Sequence, residues 1–267
     1  MPRQAATIIG VFLLLGSVAA NAGQQIWQDM TLEQARSRGV DTGVGYFSAD
    51  DVALRNLLGQ VPHRSSGDFS HQIQLPMPDG SLARFQIIES PIMEDGLAQQ
   101  YPDVKTFKVF GIDDEYASGR VDITARGFSG MLQTSGGRVF IDPDHSSSQA
   151  NFYLSKYRNS GQPGQPFSCG VHQLNQDREF SQNVESRAAQ RIPGMLLEYR
   201  LAVAATEEYV AALYDHSSSD SAEDQAQDAI VTAINRVNQI FERDLGIRLV
   251  LVANNQQLID NGANVSF

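Results

Sequence analysis

The sequence predicts an α+β protein, in which an antiparallel β-rich region is followed by a shorter α/β unit of strand, helix and strand. Three observations predict it. Between His71 and Tyr157 apolar residues recur at every second position, in short runs broken by turn residues. Between Ala226 and Leu245 they recur at intervals of three and four, which is the helical period. Between these regions, residues 158–195 are rich in Gly, Pro, Ser, Gln and Arg and poor in large apolar side chains, a linker composition.

Taken in order, Asp29–Gly39 reads as a short helix, with Met30, Leu32 and Ala35 near helical spacing and Gly39 as a stop. Asp50–Leu58 reads as a second, carrying Val52, Leu54, Leu57 and Leu58. Ile73, Leu75 and Met77 then alternate with polar neighbours, Asp79-Gly80 marks a hairpin turn, and Leu82–Glu89 returns. Thr106–Ile112, the Val121/Ile123/Ala125 alternation, Phe128–Gln133, Arg138–Asp142 and Ala150–Tyr157 follow as strands. Regular short strands of this kind predict an antiparallel sheet, sandwich or open barrel.

In the last part, Leu196–Ala205 is apolar and reads as a buried strand, and Glu207–Tyr214 as a short helix. Ala226, Ala229, Ile230, Ala233, Ile234, Val237, Ile240, Phe241 and Leu245 form one apolar stripe of a long helix. Ser221 with Asp224 approximates a capping box before it, and Gly246 stands where a helix C′ residue is expected. Ile247–Ala253 is the next strand, and a helix between two strands suits a parallel pair with a crossover. One helix covers only one face of such a pair, so residues 196–267 read as an incomplete unit.

The amino terminus reads as an export signal. Arg3 gives a positive start, Ile8–Leu15 an apolar run, and Ala20-Asn21-Ala22 a small-residue cleavage site. The run is shorter than the roughly 20 residues a membrane-spanning helix needs. The expected organisation is a signal peptide at 1–22, a β-rich region at 23–172, an exposed connector at 173–195 and the α/β unit at 196–267. Bacterial export, to the periplasm or the medium, is the expected location, without a stable membrane anchor. With 20 Lys and Arg against 31 Asp and Glu, the net charge of −11 argues against nucleic acid as a partner.

Few residues are suited to chemistry. The single cysteine, Cys169, excludes an internal disulfide framework and a four-cysteine zinc site. Its loop setting leaves two readings open, a small buried residue or a ligated thiol; a nucleophile paired with His172 is a third. His145, in Asp142-Pro143-Asp144-His145, reads as part of a polar turn. Asp113-Asp114-Glu115 and Glu94-Asp95 read as solvated loops, since their spacing fits no EF-hand. No two of the five histidines lie four residues apart.

Phe167-Ser168-Cys169-Gly170-Val171 resembles the Cys-Gly-Val "cysteine switch" of metzincin protease propeptides. Glu198–Asn254, including Tyr199–Tyr209 and Ile234–Asn254, is similar to the opening of bacterial reprolysin-like zinc metallopeptidases, and Leu75–Pro143 to the propeptide of the same group. The resemblance implies a secreted zymogen that hydrolyses peptide bonds of protein or peptide substrates with Zn2+. It implies that Cys169 is an inhibitory metal ligand, closing with its thiolate the position that a catalytic zinc otherwise offers to water. The family's H-E-x-x-H-x-x-G-x-x-H motif is absent, so no catalytic residue is carried over. The expectation is a truncated precursor, inactive alone. The alternative is a free-standing, propeptide-like inhibitor or chaperone of a related protease.

Overall fold

A computed structural model of the chain describes residues 26–30, 43–144, 151–158, 196–260 and 262. The proposed signal peptide, Cys169, His145, His172 and the connector lie outside the described residues.

Period-two alternation becomes one nine-stranded antiparallel sheet. Its strands are β1 (Trp27–Asp29), β2 (Val44–Ala49), β3 (Gln72–Pro76), β4 (Leu82–Glu89), β5 (Lys105–Gly111), β6 (Ser118–Thr124), β7 (Gly127–Thr134), β8 (Gly137–Pro143) and β9 (Phe152–Tyr157). From β3 to β9 each strand pairs with the next in sequence; β2 then joins β9, and β1 joins β2. The pleat sends Phe107, Val109, Val121, Ile123, Val139 and Ile141 to one face, where they are fully or almost fully buried. Helix α1 (Asp51–Gly59) adds Leu54 and Leu58 to that core. The sheet curls around it, so that Ser155 Oγ on β9 donates to Pro76 O on β3 at 2.8 Å, although these strands stand far apart in the strand order.

The α/β unit holds β10 (Leu197–Leu201), α3 (Glu207–Leu213), α4 (Ala222–Asp244) and β11 (Ile247–Leu251). Strands β10 and β11 are parallel, as a crossover through α4 requires, with Leu197 opposite Ile247 and Leu201 opposite Leu251. Ser221 caps α4 by accepting from the Asp224 backbone N–H at 3.1 Å, and Gly246 turns the chain out at φ 65°.

Several expectations change. Asp29 ends a strand instead of starting a helix, because Trp27 is buried edge-on against Phe128 and Tyr153 and β1 pairs with β2; residues 31–42 lie outside the description. Ala125 belongs to the turn after β6. The stretch at Glu94-Asp95 forms a helix, α2 (Asp95–Gln100), where a loop was expected. Strand β10 is exposed, with Tyr199 at 51 %, because among the described strands it is paired on one edge only.

Candidate functional site

The apolar stripe of α4 accounts for half of the helix. Ala226 and Ile230 are buried, in a cluster with Leu251, Val210 and Ile259, but Ala233 and Leu245 are exposed. The most buried positions include Gln225, Gln227, Asp228, Asn235, Asn238 and Gln239. Each of these polar side chains has a hydrogen-bond partner, although Gln227 Nε2 has none among the described residues while its Oε1 accepts from Asn255. Asn238 pairs with the backbone of β11, donating to Leu249 O and accepting from Leu249 N–H, both at 2.8 Å. Gln225 ties the Asp215–Asp220 loop by accepting from Asp215 N–H and donating to Asp215 O and Asp220 O.

The remaining polar face of α4 lies against the outer face of the β-sheet. Asp228, Thr232, Asn235, Gln239 and Glu242, alternately four and three positions apart, form one stripe along the helix. Strand β6 answers with Ser118, Arg120 and Asp122, alternate residues that share one face of the pleat. Helix and strand run in opposite directions. At one end the Ala125 N–H donates to Asp228 at 2.9 Å. Asp122 then accepts from Thr232 Oγ1 at 2.6 Å and from Asn235 Nδ2 at 2.9 Å. Arg120 Nε donates to Asn235 Oδ1 at 2.7 Å, and Gln239 donates to Ser118 O at 3.1 Å.

Glu242 closes the seam. One carboxylate oxygen accepts from Arg120 at 2.8 Å and from Arg248 at 2.7 Å, and the other from Lys108 at 3.1 Å. Arg120 also donates to the hydroxyl and carbonyl of Ser90, so its guanidinium is held from both units. Burial holds the Asp122 carboxyl above the usual carboxylate range, against the opposing pull of Thr232 and Asn235. Burial also pushes Asp228 up, to about 6, against the bond from Ala125.

A second contact joins the units. Between β4 and β5 the chain leaves the sheet, and Ile92–Glu94 runs parallel to β11: Leu251 N–H donates to Ile92 O at 2.7 Å and Glu94 N–H to Leu251 O at 2.9 Å. The Glu94 carboxylate takes Ala253 N–H at 2.9 Å and the Arg200 guanidinium, which holds its pKa low. Ile92, Met93, Leu97 and Val104 sit in the same apolar cluster as Ala226, Ile230, Val231 and Leu251. The β-rich region thus supplies part of the core that the α/β unit lacks by itself.

Residues 197–264 match the model of metallo-peptidase family M12B, reprolysin-like. That segment is therefore similar to metallopeptidases of this family, whose members are generally zinc-dependent. No curated protein and no solved structure matches the chain.

Cys169, His145 and His172 lie outside the described residues. His63 bonds Ser65, His71 lies beside Ser70, and His216 packs edge-on to Tyr214. Among the described residues no group of three or more His, Cys, Asp or Glu is placed to hold a metal ion. Asp113 and Asp114 serve the fold, receiving Arg84 and the Ser135 N–H. Among those residues, no helix is long and apolar enough to cross a membrane. Sequence reasoning missed the seam itself; its signals were two charged residues inside an alternating strand and a polar stripe on the helix face opposite the apolar one.

Proposed function

We propose that the chain is the amino-terminal portion of a secreted zinc metalloendopeptidase precursor: signal peptide 1–22, propeptide 23–172 with Cys169 as inhibitory zinc ligand, connector 173–195, and the start of the catalytic domain from 196. The observation that carries this reading is that the segment matching the M12B family, through α4 and β11, is seated on the β-rich region and shares a core with it. A propeptide that holds its enzyme requires such a contact.

The described residues do not fit a zinc centre. They hold no group of suitable ligands, and the sequence contains no H-E-x-x-H. No hydrolytic step is therefore assigned to any side chain of this chain. The test is the transcript read through and past the Phe267 codon. A continuous frame that encodes H-E-x-x-H-x-x-G-x-x-H is the expected result; a frame without it overturns the precursor reading. Amino-terminal sequencing of the exported protein tests the signal, with Gly23 as the expected first residue.

A further inference from the structure

Among the described residues, β10 is paired along one edge only, to β11. Leu197 N–H donates to Gly246 O at 2.9 Å, and Leu201 O accepts from Val252 N–H at 3.0 Å, so the odd-numbered residues of β10 turn their backbone groups to β11. That direction alternates along a strand. Glu198 and Arg200 therefore turn their N–H and C=O groups outward, to the open edge. Their surroundings are open too: Tyr199 is 51 % exposed, and the Arg200 side chain, although bonded to Glu94, is 73 % exposed. An open edge of this kind is a template for another strand.

The residues Leu197-Glu198-Tyr199-Arg200-Leu201 are complementary to themselves. Laid antiparallel to its own copy about a twofold axis at Tyr199, the strand sets Glu198 against Arg200 of the second copy and Leu197 against Leu201 of the second copy. Both outward-facing residues then fall in hydrogen-bonded pairs, and the two tyrosines meet in the closer pair between them. A slip of one residue sets outward backbone groups against inward ones, and a slip of two sets like charges against each other. The bonds already made fit this register. Arg64 holds Glu198 and Glu94 holds Arg200, so across the axis the charges alternate in sign.

We propose that β10 is a self-association edge, pairing antiparallel with β10 of a second copy of this chain to give one four-stranded sheet. A contact this short makes a weak dimer, with a dissociation constant on the order of 100 µM. The inference goes beyond the peptidase reading and requires neither zinc nor catalysis, so its failure would leave that reading standing.

Sedimentation equilibrium of the full chain at about 0.15 M salt, which screens the net charge of −11, should show monomers giving way to dimers between about 10 µM and about 1 mM. Glu198→Arg and Arg200→Glu each set like charges across the axis, and each should weaken self-association about tenfold. Mixed in equal amounts, the two variants again present opposite charges and should pair one to one, within about threefold of the wild-type affinity. Arg64→Ala, which removes the partner of Glu198 within the chain, should leave the affinity within about twofold. Hydrogen exchange in the wild type decides the matter if the variants do not fold: the Glu198 and Arg200 amides should slow about fourfold over the same concentration range, with the Tyr199 amide unchanged. A monomer throughout that range overturns the proposal, and so does a dimer that both charge reversals leave intact. Glu198 and Arg200 amides that are slow at every concentration also overturn it, because a segment of the same chain then covers the edge.

Discussion

Arg120 and Glu242 meet at 2.8 Å with side chains 0 % and 3 % exposed. One stands mid-strand in β6 and the other near the end of α4, 122 positions along the chain. Burial pushes Arg120 below the ordinary guanidinium range, and the charges of Glu242 and Asp122 oppose that push. A buried ion pair brings little net stability over an apolar pair of equal shape, but losing one partner strands the other without water.

That asymmetry makes Glu242→Gln a severe change. It would leave Arg120 and Arg248, both nearly sealed from solvent, facing a neutral amide. The expected loss is about 3–5 kcal/mol in urea unfolding. Arg84→Ala, which breaks the solvent-exposed pair with Asp113, should leave the midpoint almost unmoved. Equal effects of the two substitutions would show that water reaches the Glu242 cluster.

Asp228 gives the seam a pH dependence of known sign. Its folded pKa lies near 6 against 3.8 ordinarily, chiefly because burial disfavours the charge; Asp220 adds to the rise, while Ala125, Arg126 and its charge oppose it. The folded state therefore takes up a proton before the unfolded state does. This group's contribution grows as pH falls from about 7 towards 4, by an amount on the order of 2 kcal/mol, and is absent above the folded pKa. Asp228→Asn keeps an acceptor for Ala125 N–H and removes the titration. The difference in unfolding free energy between variant and wild type should favour the variant at pH 7.5 and shrink by pH 4.5; a constant difference contradicts the assignment.

Much of the fold was legible because its signals are local. Leu82–Glu89 is a strand because Phe85 and Ile87 share a face, and α4 starts at Ser221 and stops before Gly246 because caps act within a turn. Strand β2 was overlooked since Gly45, Phe47 and Ala49 offer one large side chain in a run of six, and Phe47 is buried only because the curled sheet closes over it. Helix α2 was overlooked because its reason is remote: Leu97 packs into a cluster whose other members include Ile230 and Leu251.

The seam was illegible for the same reason. On its own, α4 is an amphipathic helix whose polar face belongs in water. Only the partner sheet makes that face an interior one, and the matching groups on β6 lie over a hundred positions away. The Cys169 loop, which the family resemblance made prominent, falls outside the described residues.

Gly119 controls how closely β6 approaches β7. A Cβ there would stand 2.4 Å from Leu132 Cδ2 and 2.7 Å from the Met131 carbonyl oxygen, and the second contact is backbone. Gly119→Ala must therefore move β6, which carries Ser118, Arg120 and Asp122 with it. The expected cost is about 1–3 kcal/mol. If the strand shifts as a unit, the Gln239 side-chain amide, which donates to Ser118, should change its NMR shift more than that of Asn238, which bonds β11. Unchanged stability would mean that Leu132 and the backbone yield without moving the strand.

The Ile92–Glu94 segment, bridged to β11 at Met93, should behave as a separable element. Leu251 N–H is bonded to Ile92 O, while amides on either side use other partners: Leu249 N–H goes to Asn238 and Val252 N–H, just past β11, to Leu201 O. Leu97 is fully buried in the same cluster as Ile92 and Met93. Leu97→Ala should cost about 2–4 kcal/mol through the cavity it leaves, and the cost falls first on the opening of the Ile92–Tyr101 segment, which is exposed to water on its outer side at Gln99 and Gln100. Hydrogen exchange at Leu251 should then accelerate about a hundredfold, with Leu249 and Val252 changing far less. Equal acceleration at all three amides would show that the segment opens only together with the whole α/β unit, and that β11 has no independent hold on the β-rich region.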